Sequence, residues 1–339
     1  MNEQNTNKRL PIIPVVILAI AVCAVLGGLA VYFSGKENQT VRMPVPYVND
    51  AYLDTSAGRV LAYQTRNTFS GNLCVSEDNV GLDGVAITDG ESGALFSLDD
   101  HTVLFSRNMY GKVYPASVTK IMTAMLALKY GNLDDSVTVI EEDLDLEEGS
   151  QVVGLKPGDT VTVRELLHGL LIHSGNDASM VLARYVSGSV PAFVDLMNKT
   201  LVEIGATGSH FMNPSGLHDS NHYTTVYDIY LMLNEALSMQ EFVRIIKMSA
   251  HAMTVTHADG TREILNITST DRYLTGTAPA PKDVIILGGK TGTTSIAGHC
   301  LALASQNAFG QKFISVIVGA RNSDILYSDM NKLLAQINE

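Results

Sequence analysis

The chain has 339 residues, 46% of them hydrophobic, and a formal net charge of −12. That length buries one large core or two modest ones, and an acidic balance without any basic run excludes nucleic acid as a partner. Three cysteines are too few for a disulfide-built fold.

The N-terminal segment stands apart. Leu10 to Phe33 carries no charge and follows Lys8 and Arg9, so it is long enough to span a bilayer with residues 1–9 on the cytoplasmic side. Gly28-Leu29-Ala30 is an acceptable cleavage site, but the apolar run exceeds the usual signal-peptide core, which favours a single-pass anchor at 10–33. The part of the chain after Phe33 is therefore expected outside the cytoplasm, at the cell membrane. Residues 34–75, broken by Pro44, Pro46, Gly58 and Gly71, are expected as a linker with one strand at Arg59 to Gln64. The remaining 76–339 form the folded domain. With Cys23 inside the apolar run, only Cys74 and Cys300 can pair, and two buried free thiols are the expectation.

Gly84 to Thr88, Ala94 to Leu98 and Thr102 to Ser106 are short apolar runs separated by Asp/Gly-rich turns, the pattern of antiparallel hairpins. A helix is predicted over Ser117 to Tyr130, after Pro115 and before Gly131. Thr162-Val163-Arg164-Glu165 reads as a capping box in which Glu165 reaches back to the helix start. Its helix, with Leu166, Leu167, Leu170 and Leu171 as apolar stripe, delivers Ser174 at its C-terminal end. Further helices are predicted from Asp177 to Val186 and Thr225 to Leu237. Gly298 to Ser305 and Lys312 to Ala320 read as strands, followed by a helix from Ile325 to Asn338 capped by Ser323 or Asp324. Strands at both ends with helices between them predict an α+β fold whose sheet is closed by both ends.

Three short elements carry chemistry. Ser117-Val118-Thr119-Lys120 places a hydroxyl and an amine one helical turn apart, a nucleophile beside a base, provided burial or a second cation such as Lys290 lowers the lysine pKa. Ser174-Gly175-Asn176 adds a hydroxyl that can relay a proton and an amide that can fix the lysine and a substrate carbonyl. Lys290-Thr291-Gly292-Thr293 reads as a strand edge where glycine permits close approach. Its lysine and hydroxyls can hold a carboxylate, and the Thr293 amide can join that of Ser117 as an oxyanion hole. Each element alone is a weak signal; Ser-x-x-Lys occurs by chance about once in such a chain.

In this order, the elements resemble those of the serine penicillin-binding proteins, above all the low-molecular-mass D-alanyl-D-alanine carboxypeptidases. Tyr114 to Ala124, Leu155 to Asp159 with Leu166 to Ala178, Phe211 to Asp219, and Gly289 to Thr294 with Ala297-Gly298 carry the resemblance over roughly residues 80–325. It implies a β-lactamase/transpeptidase-like fold, with a five-stranded antiparallel sheet, flanking helices and an inserted helical subdomain. It also implies acylation of Ser117 by the D-Ala-D-Ala end of peptidoglycan stem peptides and by β-lactams, and no cofactor. Lys120 is then the base, Ser174 and Asn176 the relay, and Lys290, Thr291, Gly292 and Thr293 the carboxylate site. Arg272 loosely matches a substrate-side segment, although an ordinary surface arginine fits equally. The second β-rich domain and C-terminal anchor of some relatives are not expected here, and the N-terminal segment is expected to replace the anchor. Gly288-Gly289 replaces a frequent Asp-Gly, which bears on substrate preference.

Three alternatives predict different features. A class A β-lactamase needs a deacylating glutamate, for which Glu203 is the available residue between 176 and 220. A zinc peptidase would use His218 and His222, but Pro214, Gly216, Asp219 and Asn221 make that segment a loop. His173 and His299 flank the motifs and are expected to pack at the rim. An inactive scaffold on the same fold would show a broken motif, and none is broken.

Overall fold

The computed structural model describes residues 71–338. The anchor at 10–33, residues 1–9, the strand at 59–64 and most of the linker lie outside the described residues.

Strands β1 (Ser92–Ser97) and β2 (Thr102–Arg107) form the first hairpin. Helix α1 (Lys120–Tyr130) follows a 3-10 turn at Ala116–Thr119. Short strands β3 (Ser136–Thr138) and β4 (Thr160–Thr162) lead to α2 (Val163–Leu171), α3 (Asn176–Ser187) and α4 (Val190–Glu203). Next come α5 (Val226–Ala236), α6 (Gln240–Ile246) and the hairpin β5 (Ala250–Thr256) and β6 (Arg262–Thr268). Strands β7 (Ile285–Thr294), β8 (Gly298–Gln306) and β9 (Lys312–Ala320) precede α7 (Ser323–Ala335). The main sheet has the order β2-β1-β9-β8-β7, antiparallel throughout, and closes both ends of the domain as expected.

Alternation along β9 shows why this sheet lies in the middle of the molecule. Phe313 and Ile317 pack under α7 with Leu95, Leu301 and Leu303, whereas Ile314, Val316 and Val318 face the helical core with Ala94, Phe96 and Ala302. Both faces are apolar because both are covered. Phe96 is wholly buried and stacks on Tyr230 at 4.1 Å. Its burial contributes roughly 2–3 kcal/mol.

Caps fix the helix starts. Ser189, Thr225 and Asn322 accept from Ala192, Asp228 and Ile325 backbone N–H groups, so α7 is capped by Asn322 rather than Ser323 or Asp324. Thr162 caps α2 by accepting from Glu165 N–H, but Glu165 does not reach back. Its carboxylate accepts from His251 Nε2 at 2.8 Å instead, because β5 runs beside this turn. Gly84 to Thr88 is not a strand: Gly84 sits in a turn at φ +76°, Ile87 packs into the α7 cluster and Thr88 N–H donates to Asp329. The second sheet, β3-β4-β5-β6, was not predicted: β3 and β4 have three residues each and show no measurable period, and the seven-residue hairpin strands β5 and β6 were missed.

Candidate active site

The nucleophile turn is built by three neighbours. Ala116 has φ +47°, a left-handed conformation that costs a non-glycine residue about 1–2 kcal/mol. Gly216 lies against it, and a Cβ there would sit 1.9 Å from the Ala116 carbonyl oxygen. On the other side β7 crosses so closely that a Cβ on Gly292 would sit 2.9 Å from Ser117 N. Glycine at 292 therefore brings the strand edge to the serine amide.

A third prop comes from His222, which is 2% exposed. Met212 N–H donates to its Nδ1, so the proton resides on Nε2, which donates to Thr119 Oγ1 at 2.8 Å. Thr119 Oγ1 in turn donates to the Ala116 carbonyl. Burial depresses the His222 pKa to about 3, so this relay stays neutral and keeps one proton order. His218 packs edge-on to Tyr114. The His218–His222 pair is thus a structural loop rather than a metal pair.

Lys120 is fully buried, and its Nζ lies 2.9 Å from Ser117 Oγ, 2.6 Å from Asn176 Oδ1 and 2.7 Å from Ser215 O. Burial first and the neighbouring Lys290 charge second hold its pKa well below the ordinary lysine value, against the pull of Asp177. The Asp177 carboxylate accepts from the backbone N–H groups of Val153, Gly154, Leu155 and Ala178, a second demand on it besides that pull. As a neutral amine, Lys120 donates its two protons to Asn176 Oδ1 and Ser215 O. Its lone pair is then left facing Ser117 Oγ. This is the geometry of a general base.

The Ser174 loop turns from α2 into α3 through a left-handed φ of +65°. Gly175 N–H donates to Gly169 O and Asn176 N–H to Gln151 O. Ser174 Oγ accepts from Lys290 Nζ at 3.0 Å, and Lys290 also donates to Thr291 O. Burial brings Lys290 down to about 7, opposed by Asp271. Asp271 is itself buried, which raises its pKa, and accepts from Tyr273 N–H and Tyr327 Oη.

A cleft of about 380 Å³ opens over these groups, lined among others by Ser117, Gln151, Ser174, Asn176, Thr291, Thr293 and His299. Ser117, Lys120 and Asn176 thus form one hydrogen-bonded group and Ser174 with Lys290 a second beside the same cleft, with Thr291, Gly292 and Thr293 in its lining. His173 bonds Gln151, and His299 bonds Thr293 Oγ1, at the rim. Arg272 pairs with Asp324 and lies over Tyr327, whereas the adjacent Asp271 is the residue coupled to Lys290. Glu203 pairs with Lys199 at the end of α4, outside the cleft lining. Cys74 and Cys300 are buried free thiols, and burial pushes Cys300 up to about 12.

Sequence reasoning missed Ser215 O, Asp177, Asp271 and the His222–Thr119 prop. The Asn213-Pro214-Ser215-Gly216 run marked its loop, but a backbone carbonyl leaves no trace in residue type.

Residues 86–322 match the family described as D-alanyl-D-alanine carboxypeptidase, peptidase S11. The D-alanyl-D-alanine carboxypeptidase DacF of Bacillus subtilis is 34% identical over 79% of this chain and 66% of its own length. DacC of Escherichia coli is 33% identical over 73% of this chain and 60% of its own length, so the chain spans somewhat under two-thirds of these relatives. The solved Streptomyces K15 DD-transpeptidase superposes with a TM-score of 0.68 at 27% identity, covering 75% of this chain and 98% of that one. A D-alanyl-D-alanine carboxypeptidase from Mycobacterium tuberculosis gives 0.66 at 27% identity, covering 76% and 95%. With its order of elements, its sheet closed by both ends and this run of matched residues, the chain belongs to the S11 family of D-alanyl-D-alanine carboxypeptidases.

Proposed function

We propose that the chain removes the terminal D-alanine from peptidoglycan stem peptides through a Ser117 acyl-enzyme, and that β-lactams acylate the same serine. The observation that carries this reading is the buried Lys120 amine bonded to Ser117 Oγ, Asn176 Oδ1 and Ser215 O. Ser117 Oγ attacks the penultimate carbonyl as its proton passes to Lys120. The oxyanion is held by the amides of Ser117 and Thr293. Lys290, with the hydroxyls of Thr291 and Thr293, receives the terminal carboxylate. That anion stabilises charged Lys290, whose field in turn keeps Lys120 neutral. The leaving amine takes a proton through Ser174, and water then releases the acyl group from Ser117.

The neutral residue Gly175 between Ser174 and Asn176, and Glu203 outside the cleft lining, favour a peptidase over a class A β-lactamase. The chain is proposed to act at the cell membrane, held by residues 10–33 with the catalytic domain outside the cytoplasm. Labelling with a fluorescent penicillin and release of D-alanine from a D-Ala-D-Ala peptide, each compared with Ser117→Ala, test the proposal. Labelling that persists in Ser117→Ala, or no D-alanine release by the native chain, would sink it.

A further inference from the structure

Away from the cleft, Glu165 and His168 lie one turn apart on α2, and His251 projects from the adjacent β5. The two imidazoles stack with centroids 3.9 Å apart and planes 13° apart. Glu165 Oε2 accepts from His251 Nε2 at 2.8 Å. His168 is 2% exposed, and its Nδ1–H donates to the Arg164 carbonyl at 2.7 Å. That bond fixes the tautomer and leaves Nε2 as a bare lone pair. Nε2 is buried and has no hydrogen-bond partner in the protein.

A buried imidazole acceptor without a donor is unfavourable by about 1–3 kcal/mol, and native folds rarely keep one without a use. Here His168 belongs to a group in which one ligand atom from each of three residues, two imidazole nitrogens and a carboxylate oxygen, lie within 4.8 Å of one another. We propose that Glu165, His168 and His251 form a zinc site that clips α2 to β5. Two neutral imidazoles and one carboxylate are a donor set suited to zinc, with water completing a tetrahedron. The Arg164 carbonyl plays the outer-shell part, holding His168 in the metal-ready tautomer.

Ligand atoms on a tetrahedral zinc with bonds of about 2.0–2.1 Å lie roughly 3.3 Å apart. The Glu165–His251 pair must therefore open slightly, and, because imidazole lone pairs lie in the ring plane, the stacked rings must swing out of parallel as His168 closes in. The His251 proton moves from Nε2 to Nδ1 through solvent, so the ring stays neutral, and both freed atoms become ligands. None of the three residues lines the cleft. The site is structural: it holds the helix whose C-terminal end leads into Ser174, and penicillin labelling of Ser117 survives chelation. It also explains why Glu165 leaves its capping box half made.

The full chain, stripped with chelator, is titrated with zinc sulfate alone by calorimetry, and with cobalt(II) for its visible bands, alongside thermal melting. The expected result is one equivalent bound, tetrahedral cobalt bands and a raised melting temperature. His251→Gln and Glu165→Gln, at partly exposed positions that melt cooperatively without metal, are expected to weaken binding by more than roughly 100-fold, since even an outer-shell loss costs about 10- to 100-fold. His257→Gln, in the separate cluster with Asp159 and Glu263, leaves binding unchanged. No uptake by the native chain up to about 100 µM zinc, or uptake that survives His251→Gln and Glu165→Gln, overturns the proposal.

Discussion

His222 Nε2 donates to Thr119 Oγ1 at 2.8 Å, and through that hydroxyl it supports the carbonyl of the left-handed Ala116 just before Ser117. The histidine touches no reacting atom, so it is a positioning residue. Thr119→Val and His222→Gln are expected to slow penicillin acylation about tenfold or more, by loosening the turn, with about 1–3 kcal/mol lost from stability. Stopped-flow acylation and denaturant unfolding measure the two. Acylation at the native rate in both variants would remove His222 from the site's support.

Lys120→Ala is expected to lower acylation by about 10²–10⁴-fold, the usual worth of a general base. The pH dependence has a definite sign. Only the unprotonated amine accepts the serine proton, and burial with the Lys290 charge holds the Lys120 pKa well below the ordinary value of 10.5. Acylation therefore rises with pH far below 10.5 and falls in acid as Lys120 gains its proton. Lys290→Met removes one cause of the depression, so its acid limb moves to higher pH. A limb that stays in place in Lys290→Met, in acylation rates taken from pH 5 to 10, would show that the two amines are uncoupled.

At Gly292, the cost of a single methyl group can be read directly. A Cβ there meets Pro115 O, Ser117 N and Val118 N at 2.9–3.0 Å, so Gly292→Ala must push β7 away from the nucleophile turn. The expected outcome is a folded protein with acylation reduced by about 10²-fold, because a shift of this size displaces the strand edge from the serine amide. Circular dichroism with acylation kinetics separates this from unfolding.

Glu91 gives a stability test far from the chemistry. Burial, then Asp329, pushes its carboxyl up to about 8, against Lys332 and Arg107. Between about 4.5 and 8 the unfolded chain has lost this proton while the folded chain retains it, so stability falls as pH rises through that window. The loss is on the order of a few kcal/mol. Glu91→Gln is expected to narrow the gap in melting temperature between pH 5 and pH 9. An unchanged gap would mean that Glu91 ionises normally in the fold.

The clustering of Ser117, Lys120, Ser174, Asn176 and Lys290 was legible because side-chain chemistry at fixed spacing survives in the sequence. A sheet closed by both ends was legible too, from the apolar runs of β1, β8 and β9, and its five strands followed from the family resemblance. The rest depends on contacts between distant segments. Ser215 contributes a carbonyl, which every residue type has. Glu165 followed its local capping signal only until β5 offered His251. Gly84 to Thr88 has the composition of a strand but finds α7 where a pairing partner was expected, and β3 and β4 are too short to carry a period.

Register across the main sheet sets Ser92 opposite Val318 and Gly292 opposite Cys300. During synthesis Ser117 and Lys120 emerge early, whereas β7, which covers the nucleophile turn, and β9, which joins β1 to β8, emerge late. Such pairings between remote segments form slowly. Before they form, the lysine amine stands in water and stays protonated at neutral pH, so the serine has no base. Completion of the fold and awakening of the nucleophile are thus one event, and a nascent chain that stops short of Ala320 stays chemically silent toward any acyl donor.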